Sequence, residues 1–169
     1  MDSDTLKSMQ APLKQRYRET PESAVVILRA EGALDGNGIV CRVETGRALV
    51  EAGLHPATGG NGMQACSGDM LLQALVACAG VTLRAVATAL GIDIRGGKVT
   101  AEGELDFRGT LGVAKDAPVG LSAIRLSFAL ESDATEEQLL TLHKLTERYC
   151  VVYQTLVKSP AVDMKMTQL

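Results

Sequence analysis

Tryptophan is absent from the 169 residues of this chain, and aromatic residues make up only 3% of them. The core must therefore be built from aliphatic and small side chains. An excess of basic residues is also missing, since the formal net charge is −3, and no general field attracts nucleic acid. Glycine-rich phosphate and dinucleotide loops and the G-x-S-x-G elbow of serine hydrolases do not occur. These absences argue against nucleic-acid binding and against three large enzyme classes.

Neither a secretory signal nor a membrane-spanning helix is expected from the sequence. The first twenty residues mix acidic, basic and amide side chains without an apolar core, which argues against a secretory leader. The apolar stretch at residues 70–92 contains Arg84 and has no flanking tryptophan. Because a central arginine is costly in lipid, we interpret the stretch as a buried helix. We therefore expect no membrane partner and a cytoplasmic location.

Four cysteines are scattered through the chain, and no C-x-x-C occurs. Without an export signal, a framework of structural disulfides is not expected. The two histidines lie far apart in sequence, so the usual signals of a zinc site are missing as well. The cysteines are therefore either buried and inert or redox-active.

Alternating and β-branched segments predict several strands. Residues 25–28 are strand-like, and the Asp-Gly and Asn-Gly pairs at residues 35–38 predict a turn into a return strand at about residues 39–44. Two later strands, at residues 99–107 and 124–130, alternate apolar with polar side chains. That period is typical of a sheet with one face in water.

A long apolar helix is predicted between these groups of strands. Ser67 is the expected N-cap, Asp69 lies in the first turn where the helix dipole favours a negative charge, and Gly91 ends the helix. Apolar residues occupy nearly every face, so the helix needs cover on most sides. A second subunit would supply that cover.

A second helix is predicted from Thr135 through Cys150 to Leu156, with Pro160 stopping it. A last short strand is predicted at residues 162–166. The order of strands, buried helix, strands and helix favours the α+β class over a doubly wound sheet.

The cysteines differ in their sequence surroundings. Cys78 and Cys150 lie on apolar or amphipathic helices, where free cysteine usually packs as a small core residue with a raised pKa. Cys66 is a rival nucleophile, because it immediately precedes a helix N-terminus that stabilises a thiolate. Cys41 alternates on a strand and is interpreted as structural. His143 lies two turns before Cys150 and is either a general base for it or a solvent-facing side chain.

Two segments together resemble the osmotically inducible protein C and organic hydroperoxide resistance family (OsmC/Ohr). SGDMLLQALVAC at residues 67–78 is similar to the first cysteine helix of that family, in which an acidic residue, a leucine pair and small residues lead into a cysteine. TERYCVV at residues 146–152 is similar to the second cysteine helix. The resemblance divides the chain into an N-terminal extension, residues 1–23, and an OsmC-like domain, residues 24–169.

The resemblance implies an OsmC-like α+β fold in which antiparallel β-sheets wrap a long central helix in an intertwined homodimer. It also implies thiol peroxidase chemistry, in which Cys78 attacks a peroxide as the thiolate and becomes a sulfenic acid that Cys150 resolves as a disulfide. An external dithiol or lipoyl-type reductant would restore the pair, and no metal or organic cofactor is implied.

Members of the family that are peroxidases carry a glutamate at the start of the first cysteine helix and an arginine beside the thiolate. Here Asp69 is the candidate for the acidic role. Arg47 is the first candidate for the guanidinium, with Arg29 and Arg42 as alternatives. Two functions therefore stay open: a cysteine-based organic hydroperoxide reductase, and a non-catalytic family member that binds a small apolar ligand at the dimer interface.

Overall fold

The computed structural model describes residues 3–33, 42–43, 52–63 and 65–168. Strands and helices alternate along the chain in an α+β order, and short 3₁₀ turns lie before β1 and before α2. The elements are α1 (Ser3–Glu19), β1 (Val25–Ala33), β2 (Arg42–Val43), α2 (Ser67–Leu90), β3 (Gly96–Asp106), α3 (Phe107–Thr110), β4 (Leu121–Glu131), α4 (Glu136–Tyr149) and α5 (Val151–Val157).

The described strands form one antiparallel sheet in the order β2-β1-β3-β4. β1 pairs along its full length with β3, with Val25 opposite Asp106, and β3 pairs with β4 from Gly96 opposite Glu131. The α+β prediction is therefore confirmed, and β2 pairs with β1 as the expected return strand. The predicted turn at residues 35–38 lies outside the described residues.

Strand β3 follows the predicted alternation but ends earlier than expected. Val99 and Ala101 are fully buried, as the apolar half of the pattern predicted. Phe107, expected to end the strand, instead begins α3. The reason is local, because the carboxylate of Asp106 accepts the backbone N–H of Arg108 at 3.0 Å and so caps a helical turn.

Helix α2 begins one residue earlier than the predicted cap allows. Cys66 is the N-cap, with an extended φ of −81° and ψ of 130°, and Ser67 is the first helical residue. The amide of Met70 donates to the carbonyl of Cys66, which starts the helical ladder there. Gly91 ends the helix as expected, at a φ of 67° that favours glycine.

One face of α2 forms the centre of the main core. It packs against the inner face of the sheet and against α4 and α5. The other side leaves several apolar side chains open to solvent. By length and composition α2 could cross a membrane, a test that buried core helices also meet. The buried α2 residues are Leu72, Leu75, Val76, Ala79, Leu83 and Ala87, and the exposed ones are Met70, Leu71, Val81 and Leu90.

The prediction of a single helix after Thr135 is wrong. Thr135 does cap α4, through a reciprocal pair of bonds with Gln138. However, α4 ends at Tyr149 and α5 begins at Val151, because Cys150 takes a φ of −70° and a ψ of 108°, outside the helical region. The helical hydrogen-bond ladder is therefore interrupted at the cysteine.

The strand predicted at residues 162–166 is also not present in the structure. The segment follows α5 without regular secondary structure, and its apolar side chains face solvent. Val162, Met164 and Met166 are 86%, 85% and 94% exposed. A strand needs a hydrogen-bonding neighbour, and none of the described strands of the sheet pairs with this segment.

The N-terminal extension contains helix α1, which the sequence analysis did not predict. Tyr17 anchors it, since its side chain is fully buried with Ala24, Phe107 and Leu111 in a second apolar cluster. The Tyr17 hydroxyl donates to the carbonyl of Ala57 at 2.6 Å. Through Tyr17, the extension therefore packs against the rest of the folded chain.

We expect Tyr17→Phe to lower the free energy of unfolding by about 1 kcal/mol, because one buried hydrogen bond is lost. Tyr17→Ala should cost about 3–5 kcal/mol, since it also empties an aromatic site. Denaturant unfolding would measure both. Tyr149→Phe is the control, because that ring is 55% exposed. Equal effects of Tyr17→Ala and Tyr149→Phe would contradict the anchoring role.

Candidate functional site

The fold brings two cysteines from distant segments into contact. Cys78 lies in the middle of α2, and Cys150 lies at the junction of α4 and α5. The Cys150 thiol donates a hydrogen bond to the sulfur of Cys78. Both are free thiols, with Cys78 partly buried and Cys150 only 1% exposed. A thiol pair in contact is the arrangement that disulfide formation requires.

The break at Cys150 supplies further hydrogen-bond donors to this pair. The first N–H groups of a helix have no carbonyl partner within it. Here the backbone N–H groups of Val151 and Val152 donate to the Cys78 sulfur. The N–H of Tyr153 donates to the Cys150 sulfur at 3.5 Å. The first backbone N–H groups of α5 therefore point at the two sulfur atoms.

These contacts give the two thiols different pKa values. Burial raises the pKa of the Cys78 thiol, but hydrogen bonds from Val152, Cys150, Val151 and the Thr82 hydroxyl outweigh burial and leave that pKa below its ordinary value. Burial, together with the neighbouring Cys78, raises the pKa of the Cys150 thiol to about 11. Cys78 is thus the more acidic thiol of the pair, and Cys150 is the less acidic one.

Among the described residues, no guanidinium contributes to this difference in pKa. The donors at Cys78 are two backbone amides, a thiol and a hydroxyl, all uncharged. Arg47 lies outside the described residues. Arg29 and Arg42 lie on β1 and β2, where only the backbone is described. Arg84 of α2 donates instead to the carbonyl of Ile94 at 2.8 Å. The assignment of Arg47 to the site stays a prediction.

Asp69 lies near His55 and not beside the thiol pair. Burial raises the pKa of its carboxyl, and His55 lowers it. The His55 ring is stacked on Phe107 at 4.9 Å between centroids. Nine residues of helix separate Asp69 from Cys78, about 14 Å of axial rise. The structure therefore places Asp69 with His55, and its part in thiol chemistry stays a prediction.

The rival nucleophile Cys66 is separate from the thiol pair. It caps α2 and is partly buried against the main core. Twelve residues of helix, about 18 Å of rise, lie between it and Cys78. Cys41 lies outside the described residues. Among the residues that the structure does describe, no group of histidine, cysteine and carboxylate side chains could hold a metal ion.

Cys150 also borders a small cavity of about 50 Å³ between α4, α5 and β4. A larger groove of about 390 Å³ shares several of its walls and continues along β4. Sequence reasoning did not identify this cavity, because it exists only where the sheet meets the helix junction. Its lining residues are Leu126, Phe128, His143, Thr146, Glu147, Cys150 and Tyr153.

Comparison with known proteins agrees with this architecture. The sequence model of the OsmC-like protein family matches residues 59–165. No protein of curated function matches the chain. The crystal structure of an OsmC-like hydroperoxide resistance protein from Jannaschia sp. CCS1 superposes with a TM-score of 0.60, covering 86% of this chain and 95% of that one at 16% identity. At that identity the likeness concerns the fold.

We expect the pKa of Cys78 to lie below the ordinary value of a thiol and the pKa of Cys150 to lie well above it. Thr82→Val should raise the pKa of Cys78, because one donor to the thiolate is removed. Thiolate absorbance against pH, in a Cys41→Ser, Cys66→Ser background, measures both. Thr88→Val is the matched control, since that hydroxyl donates to a helical carbonyl instead. Ionisation of Cys150 before Cys78 would contradict the assignment.

Proposed function

The chain belongs to the OsmC-like protein family, and on that premise we propose that it is a thiol-dependent organic hydroperoxide reductase. Cys78 is the residue that the peroxide oxidises, and Cys150 is the resolving residue. The observation that carries the proposal is the contact between the two thiols, with a lowered pKa at Cys78 and a raised pKa at Cys150. The more acidic thiol is the one suited to attack the peroxide first, and a thiol in contact with it is placed to resolve the product.

In the first step the Cys78 thiolate attacks an oxygen of the hydroperoxide. The S–O bond forms and the O–O bond breaks, which leaves a sulfenic acid on Cys78 and an alkoxide that takes up a proton to become an alcohol. The backbone donors at Val151 and Val152 hold the reacting sulfur in its anionic form before the attack. The peroxide is reduced by two electrons, and the sulfur is oxidised by two.

In the second step Cys150 attacks the sulfenic sulfur, and a disulfide and water are formed. An external dithiol or lipoyl-type reductant then returns both residues to thiols by exchange. Because this cycle needs a steady supply of dithiol, we place the protein in a reducing cytoplasm. Thiols carry both steps, and the proposal includes no cofactor.

A second function is favoured by one observation. The groove of about 390 Å³, which shares walls with the small cavity at Cys150, is lined by six apolar side chains of α2, β4 and α4 together with two serines, a threonine and His143. Such a groove suits a small apolar ligand that the protein binds without reaction. The two functions differ in whether bound peroxide consumes thiols, so the same experiment separates them.

We also propose that the protein acts as an intertwined homodimer. β4 is the last strand of the sheet order, so its outer edge has no strand neighbour among the described residues. The tail at residues 162–166 alternates exposed apolar with charged side chains, the pattern of a strand with one face in a core. If the tail of one protomer were added to the β4 edge of its partner, that edge would gain a strand neighbour and the apolar side chains of the tail would be covered. The exposed apolar side of α2 would be covered in the same assembly.

We propose that residues 24–169 form the OsmC-like domain and that residues 1–23 are an extension docked on it. The family match begins well after α1, at residue 59. The contact of Tyr17 with Ala57 lies just before that point in the chain. The extension thus supports the loop that leads into α2.

One equivalent of an organic hydroperoxide, added to reduced protein, should remove two hydrogens by mass and give a cross-linked Cys78–Cys150 peptide. Cys78→Ser should abolish peroxide consumption, because the nucleophile is gone. Cys150→Ser should react once and stop at a sulfenic acid. Cys66→Ser is the matched control and should behave as the wild type.

Mass spectrometry and a peroxide assay read out these changes. If Cys66→Ser loses activity while Cys78→Ser keeps it, the nucleophile is assigned to the wrong cysteine. If thiols are not consumed although the hydroperoxide binds, the ligand-binding function is the correct one.

Sedimentation at micromolar concentration should report a dimer for the wild type. Removal of residues 160–169 should weaken the dimer about tenfold or more, because the added strand and its apolar face are lost. Val119→Asp is the control, since this side chain is 66% exposed but lies in the loop before β4. A monomeric wild type would contradict the assembly.

A further inference from the structure

The resolving thiol must lose its proton before it can attack. In thiol–disulfide chemistry the thiolate is the nucleophile. Cys150 is 1% exposed, and its surroundings raise the pKa of its thiol to about 11. Burial is the largest cause of this shift and is still present after Cys78 has been oxidised, so the Cys150 thiolate stays disfavoured in the resolving step. A proton acceptor within reach of this sulfur is therefore needed, and the proposed function does not yet supply one.

The small cavity beside Cys150 contains suitable groups. α4 contributes His143 and Glu147 to its wall, and α5 contributes Tyr153. β4 contributes only apolar side chains to it, so the titratable wall lies on the two helices. A volume of about 50 Å³ is enough for a water molecule, and the polar partners that a water needs are present.

These groups are joined to one another and to the thiol. The Tyr153 hydroxyl donates to Oε1 of Glu147 at 3.0 Å. The same carboxylate oxygen lies 3.9 Å from Nε2 of His143. The backbone N–H of Tyr153 donates to the sulfur of Cys150. Gln154 fixes the turn, since its side-chain amide donates to the carbonyl of Glu147 at 2.7 Å. Tyr153 thus contacts the carboxylate of Glu147 through its hydroxyl and the resolving sulfur through its backbone amide, and His143 and Cys150 line the same cavity.

We propose that His143 accepts the proton of Cys150 in the resolving step, through one water molecule in this cavity, and that Glu147 and Tyr153 position the imidazole. The inference rests on the proposed peroxidase function. Imidazole is a stronger base than a carboxylate, and the carboxylate of Glu147 is already engaged by Tyr153. Glu147 is placed to stabilise the imidazolium that forms.

The proton of the Cys150 thiol passes through the water to His143, and the Cys150 sulfur attacks the sulfenic sulfur of Cys78. The S–S bond forms while the S–O bond breaks, and hydroxide leaves. The imidazolium then returns its proton to the hydroxide, which gives water and neutral His143. The organic hydroperoxide of the first step is the sole oxidant.

Rapid-mixing kinetics with one organic hydroperoxide separates the two steps. The first phase reports oxidation of Cys78, and the second reports disulfide formation. In His143→Gln we expect the first phase to stay within twofold of wild type and the second to slow about tenfold or more, because general-base assistance is lost. Added imidazole should restore part of the second rate. Lys144→Gln, a neighbouring exposed side chain on α4, is the matched control and should leave both phases unchanged.

The pH profile distinguishes a proton acceptor from a packing residue. If His143 accepts the proton, its replacement should change how the second rate depends on pH. In His143→Gln the second rate should rise with pH, because the Cys150 thiol, whose pKa burial raises, must then lose its proton to solvent. The other titratable groups facing His143 are Glu147, Tyr153 and Cys150, and Tyr153→Phe should keep the wild-type profile.

Three results would overturn the inference in different ways. If wild-type protein forms no disulfide, the proposed function fails and this inference fails with it. If disulfide forms and His143→Gln resolves at the wild-type rate with the same pH profile, only the inference fails. Equal slowing of both phases would also overturn it, because a general structural change moves the two steps together.

Discussion

The interruption of the helical ladder at Cys150 is the constraint on which the thiol site depends. The amide of Cys150 still donates to Thr146, the last bond of α4, and the amide of Gln154 donates to the carbonyl of Cys150, the first bond of α5. Three backbone N–H groups lie between them, and all three are directed at sulfur. Buried amides are rarely left without acceptors, and here the acceptors are the two cysteines.

Among the residues that the structure describes, uncharged donors make two chemically identical side chains differ in pKa. The Cys78 sulfur accepts from amides, a hydroxyl and a thiol, whereas Cys150 donates to its neighbour and is almost fully buried. Dipoles fixed in the backbone are screened by salt far less than an exposed ion pair is. They also cannot rotate away, because α2 packs against both α4 and α5, on either side of the junction. The difference between the thiols is therefore a property of the fold.

Much of this fold could be predicted from the sequence, and the thiol site could be predicted only in part. The alternation in β3 and β4 and the glycine after α2 carry direct signals. The break at Cys150 carries none, because apolar spacing continues from Leu142 to Leu156 and neither glycine nor proline marks the junction. α1 was missed because it is mostly polar and contains Pro12. Contact between Cys78 and Cys150 came from family resemblance, since no local rule joins residues so far apart.

The distance along the chain between the two cysteines has a thermodynamic consequence. A bond between them would close a loop of about 70 residues that contains β3, β4 and α4. Restricting an unfolded chain with a loop of that size is worth about 4 kcal/mol by chain entropy, which is comparable to much of the total stability of a small domain. The oxidised protein would then be the more rigid form and the harder one to unfold or digest. Oxidation by peroxide would therefore lengthen the lifetime of the folded chain.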